Sequence, residues 1–251
     1  AAKKGRVWLE KQLESGEFGP QNDILYEEMG GIWRLDQLDA LGLYQENAEL
    51  VQLSFHVLWN EAMQAEIDTG YWIDLGSGVI SKTENIRPVK AKKYIHADDS
   101  AFEVYTVKKL YRYPGGMNKR VRWDDATSVS CGTEIPARVL GLARRDISAA
   151  VKEVKNELKN TLSDNAVAML IGFDEIVFAG QAAQGGVSAL LRLGEERLGL
   201  MENADHAGTL AVLQLLPKRY LEGGALFGEF WYSPETGGLY LAPIAVVTDR
   251  A

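Results

Sequence analysis

Two apolar runs on either side of a glycine turn constrain this chain more than any other feature. Tyr71-Trp72-Ile73-Asp74-Leu75 leads into Gly76-Ser77-Gly78, and the stretch from Val79 to Ile86 leads out. Glycine supplies the positive φ that a tight hairpin demands, so the pattern predicts two paired strands. Pro88 discourages helix directly before it. From Ala101 to Pro114 β-branched and aromatic residues alternate with polar ones, which predicts further strand stopped by Pro114-Gly115-Gly116. The middle of the chain therefore reads as an antiparallel β-region.

The same texture returns near the end. The runs 167–180, 187–194 and 197–203 are strand-like and separated by Gly-rich or charged turns, and a short helix follows through Leu210, Leu213 and Leu216. The runs 225–232 and 238–247 face each other across Ser233-Pro234-Glu235-Thr236-Gly237, a connector of the kind that closes a hairpin. Before them, Ile147, Val151, Val154 and Leu158 repeat at helical spacing after Asp146, with Lys and Glu on the outer face, and predict a helix over 146–162. Residues 1–70 read as helices broken by short loops: one run ends near Gly16, Gly19-Pro20 resets the chain, a second passes through Ile24, Leu25, Met29 and Ile32, and a third spans Asn47 to Gln64 with Leu50, Leu53, Val57 and Leu58 at helical spacing. Their Trp and Leu residues, Trp8 and Leu9 among them, are read as core. The fold class is α+β, with a helical segment (1–70), a basic antiparallel β-region (71–135) and a helix plus antiparallel sheet (136–251).

With 251 residues, 46% hydrophobic and 25% charged, the chain can bury a core without disulfides or metal. A single cysteine, Cys131, excludes an internal disulfide and any multi-cysteine metal site. The sequence has no apolar leader and no run of membrane-spanning length, so a cytoplasmic protein without a membrane partner is expected.

Catalytic motifs are weak. Asp74-Leu75-Gly76-Ser77-Gly78 resembles the glycine loop with which class I methyltransferases approach S-adenosylmethionine, but Ile80 occupies the third glycine position and no amphipathic helix follows. His96, Asp98 and Asp99 lack further ligands nearby and make a polar turn before a strand. Cys131 has no neighbouring base, and Ser188 and Ser233 lack a nucleophile elbow. No enzyme, cofactor or metal is predicted.

Charge gives the better lead. The net charge is −8, yet from Lys82 to Trp123 eleven Lys or Arg stand against four Asp or Glu, a balance of +7 that leaves −15 elsewhere. Lys82, Arg87, Lys90, Lys92, Lys93, Lys108, Lys109, Arg112, Lys119, Arg120 and Arg122 are interleaved with Tyr94, Tyr105, Tyr111, Tyr113 and Trp123. Such a surface suits an acidic protein partner or a larger complex. The same residues suit a nucleic acid, whose phosphates the cations would meet while the rings stack bases. They also suit a merely solvated sheet face.

Several stretches resemble the region downstream of the zinc finger in bacterial SWIM zinc-finger proteins: residues 7–16 (VWLEKQLESG), 26–43 (YEEMGGIWRLDQLDALGL), 110–116 (LYRYPGG), 225–232 (ALFGEFWY) and 239–246 (LYLAPIAV). The family's Cys-x-Cys and Cys-x-His zinc motif is absent, so no zinc ligand carries over. The resemblance implies an accessory protein of the kind encoded beside MoxR-type AAA+ ATPases and von Willebrand A domain proteins. It favours a non-enzymatic adaptor and names no reaction.

Overall fold

The computed structural model describes residues 2–15, 25–28, 30–91, 93–160, 164–179 and 188–250. Gly16, Gly19-Pro20, Ile24, Met29 and Lys92 lie outside the described residues, as do the side chains of Trp8 and Leu9. In chain order the elements are α1 (Ala2–Ser15), α2 (Leu25–Glu28), α3 (Leu35–Ala40), β1 (Tyr44–Asn60), β2 (Ala65–Asp74), β3 (Ile80–Pro88), β4 (Glu103–Arg112), β5 (Val121–Arg122) and β6 (Ala126–Ser130). They continue with α4 (Ile135–Gly141), α5 (Ile147–Glu157), β7 (Ala166–Ala179), β8 (Ser188–Leu193), β9 (Glu196–Leu200), α6 (Thr209–Gln214), β10 (Glu222–Ser233) and β11 (Gly238–Val247). Short helices, an antiparallel sheet, a helix and a second sheet make the α+β class expected from the sequence. Among the described residues no helix is long and apolar enough to cross a membrane.

The first sheet has the order β3-β2-β1-β4-β5, with β6 also pairing β4. Its long central strand corrects the sequence reading, which placed a helix from Asn47 to Gln64. Leu50, Leu53, Val57 and Leu58 fit helical spacing, but the segment pairs with β4 from Tyr44 to Val51 and with β2 from Leu50 to Asn60, and periodicity alone does not separate a short apolar strand from a helix. Cross-strand pairing overrode the local pattern.

The second sheet closes into a five-stranded barrel, β10-β11-β9-β8-β7. Along β7 the odd residues Val167, Met169, Ile171 and Phe173 enter the barrel core with Leu226 and Phe230. The even residues Ala168 and Leu170 enter another core with Ala225, Phe227, Tyr71, Ile73 and Val104. The continuous apolar run is explained by two covered faces, and the second core joins the barrel to the first sheet. Helix α5 lays Ile147, Ala150 and Val154 on the barrel core. It starts where the side chain of Asp146 accepts from the Ala149 amide at 2.7 Å.

Candidate functional site: an aromatic groove and a buried polar tie

Side chains alternate across a strand, so the neighbours Tyr71 and Trp72 in β2 serve opposite faces of the first sheet. Register places Gln52 and Ser81 beside Trp72, Phe55 and Thr83 beside Gly70, and Tyr105 beside Leu50 on the same face. Trp72 is 5% exposed and donates from Nε1 to Thr83 Oγ1 at 3.0 Å. A Cβ on Gly70 would stand 2.9 Å from both of these atoms, so glycine there makes room for the bond. Trp72 meets Tyr105 and Trp123 edge to face, with centroids 5.3 and 5.2 Å apart.

Over this face runs a groove of about 780 Å³ whose far wall is the loop before α3, with Gly31, Ile32 and Trp33. Trp33, 6% exposed, packs with Leu38 and Tyr113 and stacks edge-on with Tyr26 at 4.8 Å. Arg120 lies over the Tyr113 ring at 4.3 Å and pairs with Glu27 at 2.8 Å. Two buried donors of the lining residues, Trp33 Nε1 and Arg120 Nε, find no acceptor among the described residues. At the rim, Asp98 accepts from Asn85 Nδ2 at 3.3 Å and Asp99 from the Ser100 amide at 2.7 Å. Burial and then the charge of Asp68 push the Asp98 carboxyl above its ordinary range.

The residues singled out for positive charge do not share one face. Lys82 is held by Glu84 at 2.9 Å and Asp164 at 2.8 Å, and although burial opposes its charge, these carboxylates raise its pKa. Arg87 is buried against Asp68 and Glu66, with Nε 2.7 Å from Asp68 Oδ2. Lys109 pairs with Asp39, Arg122 stands 3.8 Å from Asp124, and Arg112 donates to Gln45. Lys90, Lys93, Lys108 and Lys119 are exposed. Tyr94 is 75% exposed with Lys93 Nζ 4.9 Å from its ring centroid. Tyr111 packs near Tyr44, with Lys109 above both rings. Of the predicted site residues the groove gathers Tyr113, Arg120 and Arg122, and with them the interleaved aromatics Tyr105 and Trp123.

The glycine loop at Gly76 and Gly78 is a hairpin turn. Asp74 accepts from the Gly76 amide and the Ser77 hydroxyl, Gly78 has φ 72°, and a strand follows rather than a helix. His96 is exposed and Cys131 is exposed, its thiol pushed up by burial and by Glu103 and Glu134.

The sequence reading missed a polar cluster on the opposite face, between the first sheet and the barrel. Glu229 in β10 accepts from the Tyr71 hydroxyl at 2.7 Å and from Asn203 Nδ2 at 3.4 Å. His206 Nε2 lies 3.1 Å from Glu229 Oε2, within ion-pair reach although off the line of a hydrogen bond. His56 meets the His206 ring edge to face at 5.3 Å. Burial pushes the Glu229 carboxyl up, but His206 and Tyr71 together outweigh it and leave it below its ordinary value. The signal in the sequence was a charged residue inside an apolar run, Phe227-Gly228-Glu229-Phe230. Among the described residues no three His, Cys, Asp or Glu side chains converge as a metal site.

No protein-family model matches the chain, and no curated protein does. Among solved structures, the tetrameric p202 HIN2 superposes with a TM-score of 0.29 at 7% identity, over 80% of this chain and 95% of that one. So loose a likeness carries no argument about fold or function.

Proposed function

We propose that this chain is a non-enzymatic adaptor, a binding component of a larger assembly, and that its partner seats in the aromatic groove over the first sheet. One observation carries the reading: Trp33 and Arg120, which line a groove floored by Trp72, Tyr105 and Trp123, each hold a buried donor, Nε1 and Nε, that has no acceptor among the described residues. A buried donor left unpaired costs about 1–3 kcal/mol, which a ligand bearing an acceptor recovers. Partly exposed rings supply the contact area that anchors an interface. The resemblance to SWIM zinc-finger proteins supports the same role.

The test is co-purification from cells that express the protein, comparing wild type with Trp123→Ala and with Leu215→Ala, which alters the exposed surface after α6. A partner recovered with wild type and Leu215→Ala but reduced at least about tenfold with Trp123→Ala fits an anchor worth about 1.4 kcal/mol or more. Equal recovery with all three removes the groove as the seat. A second reading, single-stranded nucleic acid, is favoured by the rings standing beside Arg120 and Arg122. Oligothymidylate binding that falls steeply with salt supports it, and no binding at about 20 mM salt removes it.

A further inference from the structure

The charges lining the groove narrow the class of partner, on the reading that the groove is its seat. Glu27, Glu84, Asp98 and Asp99 line it against Arg120 and Arg122. Glu27 is taken by Arg120 and Glu84 by Lys82. Arg122 is 61% exposed and loosely paired with Asp124. Among the described residues, the side chains of Asp98 and Asp99 accept only from neutral donors, Asn85 and the Ser100 amide. Burial first and then the charge of Asp68 raise the Asp98 pKa, while the Asn85 hydrogen bond and the Arg87 charge oppose them. A phosphate chain would meet these two aspartates with Arg120 already committed.

Two independent features therefore ask for different groups of one ligand. The aspartates call for a cation, and the rings that line the same groove favour one, since a Lys or Arg side chain over an aromatic face gains about 0.5–2 kcal/mol. Trp33 Nε1 and Arg120 Nε, buried and without an acceptor among the described residues, call for one such as a main-chain carbonyl, which reaches them when the groove wall shifts to admit it. A polypeptide carries both. We propose that the groove takes a basic peptide segment of a partner protein: its Lys or Arg side chain lies along Trp123 and Tyr105 with the charged end at Asp98 and Asp99, and its carbonyls accept from Trp33 and Arg120. The charge of −8 on the whole chain attracts a basic partner to the molecule at long range.

Calorimetry and tryptophan fluorescence on the full chain test this, with three probes: a short blocked peptide of alternating Lys or Arg and Leu, its Glu counterpart, and a short oligothymidylate. The basic peptide binds, the acidic one does not, and the oligonucleotide is weaker. Asp98→Asn with Asp99→Asn weakens binding about tenfold or more, and Trp33→Phe, which keeps an aromatic ring without the N–H, about fivefold, the equivalent of one hydrogen bond. Urea melts of each variant show whether the fold is kept, and the aspartate pair is near-isosteric and at the rim. Absence of basic-peptide binding, preference for the acidic peptide or the oligonucleotide, or affinity unmoved by the aspartate changes overturns the proposal. In the co-purification experiment, a partner lost with Trp123→Ala but kept with the aspartate pair retains the seat and removes the basic class. A partner kept with both removes seat and class together.

Discussion

Tyr71→Phe is the most direct probe of what holds the first sheet to the barrel. The substitution removes one hydroxyl and leaves the ring, which is 8% exposed and 5.4 Å from Phe227 by centroids. Little cavity forms, so the effect isolates the 2.7 Å bond to Glu229. Glu229 is 6% exposed and carries charge, and a hydrogen bond to a charged group contributes about 1.5–3 kcal/mol. We expect a loss near 2 kcal/mol in urea unfolding at neutral pH. For a chain of this size each kcal/mol moves Tm by about 2–4 °C, so the melt drops by about 4–8 °C. In a Glu229→Gln background the acceptor is neutral, and the same change costs about 1 kcal/mol, leaving a coupling of similar size in the double-mutant cycle. Tyr71 also helps hold the Glu229 carboxyl low, so acid destabilisation begins at higher pH in the variant. A loss under about 0.5 kcal/mol, or an equal loss in both backgrounds, refutes the bond as a tie between the sheets.

Acid weakens the fold through the same cluster. Burial, then His206, hold the His56 pKa below its ordinary value, so between that lowered pKa and about 6.5 the unfolded chain binds the proton and the folded one does not; stability falls as pH drops through this window, by at most about 1.4 kcal/mol per pH unit, and a urea series on His56→Gln loses that slope. Glu229, whose folded pKa is depressed, adds stability above its unfolded value near 4.3 that is lost as pH falls below it. Asp68→Asn removes a negative charge that raises the Asp98 pKa and frees Arg87 from its closest carboxylate; NMR titration should find Asp98 lowered, and an unchanged or higher value contradicts the assigned cause.

Local patterns announced the hairpin at Gly76-Ser77-Gly78, the β10–β11 hairpin and helix α5 with its Asp146 cap, because each is decided by residues close in sequence. The strand β1 was misread for the converse reason: its neighbours β2 and β4 settle it, and β4 begins more than forty residues after β1 ends. The same limit hid the site. Trp33, Trp72 and Trp123 come from three separate parts of the chain, and no spacing rule joins them. Counting charge in the stretch 82–123 gave +7, but Asp39, Asp68 and Asp164, all outside that stretch, hold Lys109, Arg87 and Lys82. A sum over sequence cannot see partners that folding supplies.

The two faces of β2 divide the molecule's work, and that division can be broken deliberately. Tyr71 looks toward Glu229 and the core that joins the first sheet to the barrel, while Trp72 looks toward Tyr105, Trp123 and the groove. Trp123 is only partly buried, so Trp123→Ala costs less than the about 3–5 kcal/mol of a fully buried tryptophan, yet it strips a ring from the groove and uncovers Trp72. Partner affinity should fall about tenfold or more, the emission of Trp72 should shift to the red, and the urea midpoint should move less than for Tyr71→Phe. Tyr71→Phe should do the opposite, lowering the midpoint while leaving affinity unchanged at temperatures well below its melt. Substitutions that share no partner add independently, so combining the two should sum both losses. Affinity weakened equally by the two changes would mean that the sheet transmits strain between its faces, and that the groove and the interface with the barrel are a single site.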